Sequence, residues 1–197
     1  KRQAAWQGRR LIKLILGAAQ FGAPYGVTRP SDHVSDEALS CILEAAPALG
    51  VSMIDTSPAY GDSEARLGRE RLVPSLKLQT KTRGGQLSLA VENAQSDFAK
   101  SKRLLGRSTF DSFLIHSVRQ LFAPNGAEVL RFLLALKERG DAVRIGVSVY
   151  DGEQIDRVLA LFTPDVVQVP VSVADQRLVD NGGLERLKAK GVCVQTR

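Results

Sequence analysis

The sequence predicts an α/β chain of the closed-barrel class, a (β/α)8 TIM barrel of which these 197 residues supply about seven strands. Apolar runs of strand length alternate with amphipathic helical segments along the whole chain, which implies parallel strands joined by right-handed crossovers. Gly50, Gly140 and Gly191 each follow a helical segment and precede a strand, where a left-handed C-cap is commonly required. The first strand-to-helix turn, Gly17 to Gly26, is long and lacks the G-x-G-x-x-G phosphate turn of the open doubly wound sheet. A barrel needs eight strands and the seventh run ends at Arg197. The expectation is therefore a partial barrel lacking the eighth strand and the C-terminal helices, with the edges of strands one and seven exposed. Residues 1–10 form a basic N-terminal segment and residues 11–197 the barrel.

The predicted strands are Leu11 to Ala18, Val51 to Thr56, Leu76 to Lys81, Asp111 to His116, Arg144 to Val149, Val166 to Val171 and Val192 to Arg197. Between them, Ser35 to Leu49, Ser63 to Leu72, Leu87 to Leu105, Ala127 to Arg139, Gly152 to Phe162 and Leu184 to Lys190 carry apolar residues at spacings of three and four, the mark of amphipathic helices. Ser35, followed by Asp36 and Glu37, is a helix start with acidic groups facing the positive end of the helix dipole. A turn built on Pro58 and Gly61 presents Tyr60, after which Asp62 or Ser63 caps the next helix with Glu64 in its first turn. Phe113 and Phe132 read as core, while Trp6 and Phe21 either pack under the barrel floor or line its mouth.

The formal charge of +6 resides in the first 31 residues, which hold six bases and no acid; removing those six from 27 leaves 21 bases against 21 acids. The body is neutral, and no basic stripe interleaved with aromatics marks a nucleic-acid surface. Lys13 interrupts the apolar stretch Leu11 to Ala19, which argues against a secretory signal, and no run reaches the roughly 20 apolar residues of a membrane span. Cys41 in a helix and Cys193 in a strand suit a reducing compartment, so the expected location is cytoplasmic. His33, in a polar loop, and His116 with two distant cysteines offer no metal-ligand spacing. No G-x-S-x-G elbow for a nucleophilic serine is present. Oligomeric state is left open.

Asp55, Tyr60, Lys81 and His116 lie at or just past the carboxyl ends of predicted strands, the face where barrel chemistry sits. A lysine beside a tyrosine favours the phenolate left behind when the phenol gives up a proton, a carboxylate steadies the lysine, and a histidine orients a carbonyl oxygen. With YGDSEARLG from Tyr60 to Gly68, LGAAQFG in the first strand, IGVSVYD from Ile145 and VQVPVSVADQRL from Val167, the chain resembles the aldo-keto reductase superfamily over nearly its whole length. The resemblance implies reduction of an aldehyde or ketone by hydride from NADPH (NADP+), with NADH left open. It makes Asp55, Tyr60, Lys81 and His116 the catalytic tetrad, with Tyr60 the proton donor. It also implies Gly17, Ala18, Asp55, Ser148 and Gln168 as cofactor contacts, with Val149 where the family often has Asn and with Arg197 stacked on the nicotinamide. The expected partner is a small-molecule carbonyl substrate, small or moderately polar, sugar-derived compounds among them, from the polar loop Phe21 to His33. Two other readings share the barrel: a non-catalytic protein that senses a nicotinamide cofactor, and a Schiff-base aldolase using Lys81.

Overall fold

The computed structural model describes residues 13–25, 34–70 and 76–197. The expectations for residues 1–10, Leu11, Trp6, His33, Leu72 and the rest of the loop from 26 lie outside the described residues. Seven strands run parallel in chain order: β1 (Leu14–Gly17), β2 (Val51–Asp55), β3 (Lys77–Lys81), β4 (Phe110–Ile115), β5 (Ala142–Ser148), β6 (Val166–Val169) and β7 (Cys193–Thr196). Each pairs only with its neighbours in sequence, so the sheet is wound in one direction and curls into a half-barrel, with one edge of β1 and one of β7 unpaired among the described residues. The helices are α1 (Ala19–Gly22), α2 (Asp36–Ala45), α3 (Ser63–Arg69), α4 (Ala90–Leu105), α5 (Gly126–Glu138), α6 (Gly152–Leu161), α7 (Arg177–Asp180) and α8 (Gly183–Ala189).

Alternation along the strands divides two environments. On β3, Thr80 faces the helices, donating to Glu64 of α3 at 2.6 Å and lying near Ser101 of α4, while its neighbours Gln79 and Lys81 face the lumen and both reach Asp55. Around these polar groups the layer is filled by aromatic packing: Phe98 of α4 packs edge-on against Phe110 and Phe113 of β4 at 5.6 and 5.2 Å and against half-buried Phe132 of α5 at 6.2 Å. Burying side chains of this size contributes roughly 1.5–3 kcal/mol each, which makes the sheet-to-helix layer the main source of stability.

Glycines at 50, 140 and 191 take φ of 78°, 73° and 72°, the left-handed C-caps expected of them. Ser35 caps α2, its side chain accepting from the Ala38 N–H at 3.2 Å. Asp62 precedes α3 but its carboxylate makes no capping bond. Two elements stop earlier than their apolar patterns suggest, each at a proline that cannot donate the next hydrogen bond: α2 ends at Ala45, before Pro47, and β6 at Val169, before Pro170. Two four-residue helices, α1 and α7, occupy stretches the sequence reads as loop, too short for a periodic signal.

Candidate active site

The segment after β2 is placed by a close approach of two glycines. Gly61 has φ of 60°, and a Cβ there would lie 1.9 Å from the carbonyl oxygen of Gly22; a Cβ on Gly22 would lie 2.1 Å from the Tyr60 carbonyl oxygen. Only two residues without side chains let α1 press on this turn, and that contact fixes the backbone carrying Tyr60. The Tyr60 N–H donates to Ser57 at 2.9 Å, and the Ser63 hydroxyl donates to the Ala18 carbonyl at 2.9 Å, tying the turn to the end of β1.

Asp55, Tyr60, Lys81 and His116 come together at the carboxyl ends of β2, β3 and β4. The Lys81 ammonium is fully buried and spends its three donors on Asp55 Oδ2 at 2.6 Å, the Thr56 carbonyl at 3.1 Å and the Tyr60 hydroxyl oxygen at 3.2 Å. The Tyr60 and His116 rings meet edge to face, centroids 5.7 Å apart at 88°. His116 is held at both ends: its backbone N–H donates to the Thr82 hydroxyl at 3.0 Å, and its Nδ1 lies 3.3 Å from the Ser57 hydroxyl. When Ser57 donates to Nδ1, the ring proton sits on Nε2, available to a ligand.

Burial dominates the ionisation of all three groups. It raises the Tyr60 phenol well above tyrosine's ordinary value, with the Asp55 carboxylate adding to the rise. At rest the phenol therefore keeps its proton. Burial also pulls Lys81 down, opposed by Asp55. His116 falls from 6.5 to about 4 through burial and then the Lys81 charge, so its ring is neutral at pH 7.

The His116 shift has a consequence for stability. The unfolded chain takes up this proton near pH 6.5 and the folded one only near 4, so the unfolded state binds more protons between those values. Stability should be complete above pH 6.5 and fall by about 2 kcal/mol as the pH drops towards 4, allowing for solvent screening of a partly exposed ring. Urea midpoints measured across that window should show the loss, and His116→Asn should flatten the slope.

Ser148 and Gln168 are register partners at the ends of β5 and β6, both buried. The Ser148 hydroxyl has no hydrogen-bond partner, a vacancy that suits an amide-bearing ligand. Gly17 is exposed on β1, with open space where a Cβ would stand. Ala18 is fully buried and its backbone is already engaged, donating to Asp55 and accepting from Ser63, so it offers a ligand less than expected. The Arg197 guanidinium lies over the Tyr150 ring, 4.5 Å from its centroid.

Sequence reasoning missed four residues near the tetrad. Exposed Tyr25 and Tyr150 lie within electrostatic range of the Tyr60 phenol, and Tyr150 lies under the Arg197 guanidinium. Buried Gln79 and Gln195 sit beneath it, Gln79 donating to Asp55 at 2.7 Å. The available signal was a lone amide in each of two apolar strands, LQTK and VQTR. A cavity of about 560 Å³ opens towards the amino ends of β1, β2, β3, β5 and β7, lined among others by Lys13, Lys77, Arg144, Cys193 and Gln195. The tetrad does not line it. Among the described residues no cluster of three or more His, Cys, Asp or Glu could hold a metal, and no helix is long and apolar enough to cross a membrane.

Comparison with known proteins bears on the family and the fold. The family model described as the aldo/keto reductase family matches residues 13–195. An aldo-keto reductase of Mycolicibacterium vanbaalenii is 32% identical over 73% of this chain and 51% of its own length, and the D-arabinose 1-dehydrogenase of Saccharomyces cerevisiae is 29% identical over 70% and 42%. The chain thus spans about half the length of the curated relatives it matches. The same fold is seen in an aldo-keto reductase from Pseudomonas aeruginosa (TM-score 0.76, 24% identity, 92% of this chain and 71% of that one). It recurs in one from Klebsiella pneumoniae solved with NADPH (TM-score 0.67, 20% identity, 91% and 61%). With seven parallel strands in order and a family match from end to end of the described barrel, this chain belongs to the aldo/keto reductase family.

Proposed function

We propose that this chain is the barrel portion of an NAD(P)H-dependent oxidoreductase that reduces an aldehyde or ketone to an alcohol, with Tyr60 as general acid and Lys81, Asp55 and His116 assisting. The observation that carries the reading is the Lys81 ammonium held between Asp55 at 2.6 Å and the Tyr60 oxygen at 3.2 Å. Because Lys81 donates to the Tyr60 oxygen, the phenol hydrogen is left to point at a ligand in the mouth.

A reduced nicotinamide, when bound, supplies hydride to the carbonyl carbon. Ser148 and Gln168 would hold its carboxamide, a reading supported by the unpartnered Ser148 hydroxyl beside Gln168 across the β5–β6 ladder. Gly17 allows close backbone approach, and Asp55 borders the same mouth. Family membership and the NADPH complex of the Klebsiella relative support NADPH as the partner.

Tyr60 does its work late in the reaction. At rest its raised pKa keeps it protonated, which is the state a donor needs. As negative charge develops on the substrate oxygen, Tyr60 gives up its proton to a base stronger than a phenolate, and the new phenolate is held by the Lys81 N–H already aimed at it. Lys81 therefore stabilises the transition state more than the ground state, which is what accelerates a step. His116, neutral, donates from Nε2 to the same oxygen and orients it. The two exposed thiols, Cys41 and Cys193, fit a cytoplasmic setting for this chemistry.

The test is NADPH consumption by the complete natural chain with a reactive aromatic aldehyde, run beside borohydride trapping with a carbonyl substrate. Cofactor oxidation without a covalent adduct on Lys81 is expected. An adduct on Lys81 without oxidation would replace the reading with an aldolase.

A further inference from the structure

Below the tetrad the lumen is crossed by polar side chains rather than by the aliphatic ones that surround them. Gln79 neighbours Asp55 across the β2–β3 ladder, so their side chains point the same way. Its Nε2 lies 2.7 Å from Asp55 Oδ1, the carboxylate oxygen that Lys81 does not use. An aspartate paired with an ammonium can only accept, so Gln79 must turn its nitrogen towards it. That choice sends the Gln79 oxygen to the other side, where Gln195 of β7 meets it: Gln195 Nε2 donates to Gln79 Oε1 at 3.0 Å, and Gln79 Nε2 donates to Gln195 Oε1 at 2.7 Å. β3 and β7 are not neighbours in the sheet, so this reciprocal amide pair spans the lumen. Gln79 is fully buried and Gln195 nearly so, at 0 and 7% exposure, where an amide without partners costs several times what a satisfied one contributes.

We infer that Gln79, backed by Gln195 from β7, is a positioning residue for the proton-donating assembly, fixing the rotamer of Asp55 that keeps the Lys81 ammonium on the Tyr60 oxygen. The inference rests on the carbonyl-reduction reading above. Rotation about the last bond of an aspartate is soft, and one hydrogen bond to Lys81 does not stop it. Two bonds on opposite oxygens do. A lysine with its charge held a few tenths of an ångström out of line gives less to a developing phenolate, and misplacement on the ångström scale costs on the order of 100-fold in rate.

The experiment is steady-state kinetics of the complete natural chain with NADPH and a reactive aromatic aldehyde, with cofactor binding followed by fluorescence. Gln79→Leu should lower kcat by about 10- to 100-fold, leaving KM and cofactor affinity within about twofold. Gln195→Leu should cost a few-fold alone and nothing further in the Gln79→Leu background, because it acts through Gln79. Gln79→Glu supplies a signature that packing alone does not: protonated, it donates to Asp55 as the amide does; ionised, it repels. The ionisable groups beside it are Asp55 of β2 and Lys81 of β3, while β7 presents neutral Gln195. Its kcat should be near wild type at low pH and fall as the pH rises. A folded Gln79→Leu with wild-type kcat, or equal Gln195→Leu costs in both backgrounds, would overturn the inference. Should Gln79→Leu not fold, a flat kcat profile for Gln79→Glu would do the same. An inactive wild type would instead remove the reductase reading, and the positioning claim would then be read from NMR titration of the Lys81 ammonium. Gln79→Glu should move that titration as its new carboxyl ionises, and an unmoved titration would overturn the claim.

Discussion

Tyr60→Phe is expected to lower kcat by about 10²- to 10⁴-fold while leaving cofactor affinity within about twofold. The substitution removes one oxygen and keeps the ring, so the edge-to-face contact with His116 survives. The turn that carries Tyr60 is held by backbone contacts with Gly22, Ser57 and Ser63, none of which involves the hydroxyl. What is lost is the proton donor and the acceptor for one Lys81 N–H. Neutral His116, with a pKa of about 4, cannot replace the acid near pH 7, because donating from a neutral imidazole would leave a far stronger base behind. Stopped-flow loss of NADPH absorbance separates the chemical step from binding, and a variant turning over within tenfold of wild type would remove Tyr60 from its role.

Lys81→Met should abolish turnover and also destabilise the fold, by about 3–5 kcal/mol, because it strands the Asp55 carboxylate in a site where the side chain is only 11% exposed. The two effects come apart in a second variant. Lys81→Met combined with Asp55→Leu removes the stranded charge and should recover much of the stability, less the cost of leaving the Gln79 N–H unpaired. It should remain inactive, since nothing then stabilises a phenolate at Tyr60. Urea denaturation and kcat measured on the same three proteins check both halves. Recovery of activity together with stability would mean that Lys81 is structural only.

The features legible in the sequence are those whose cause is local. Parallel strands buried on both faces must be apolar runs, and helices lying on them must repeat at three to four residues, so the alternation of β2 to β7 with α2 to α6 and α8 could be read directly. Ser35 and the three left-handed glycines were equally legible, because capping is a matter of one or two residues. The prolines at 47 and 170 carried the information that α2 and β6 stop short, and the apolar pattern around them masked it. The Gln79–Gln195 pair was not legible: its members are 116 residues apart and meet only because the sheet curls. The burial of the Tyr60 phenol was not legible for a related reason. Residue types show which groups neighbour the phenol, whereas its depth of burial, the largest cause of the shift, depends on how strands and helices distant in sequence fold around it.

The roles of Tyr60 and His116 are told apart most directly by the pH dependence of kcat for carbonyl reduction, followed from about pH 5 to 11 at saturating cofactor. With a phenol held above tyrosine's usual value of about 10 as donor, kcat should stay level through neutrality and decline only at the alkaline end. A decline centred between about pH 4 and 7 would identify the imidazolium of His116 as the acid and contradict the account.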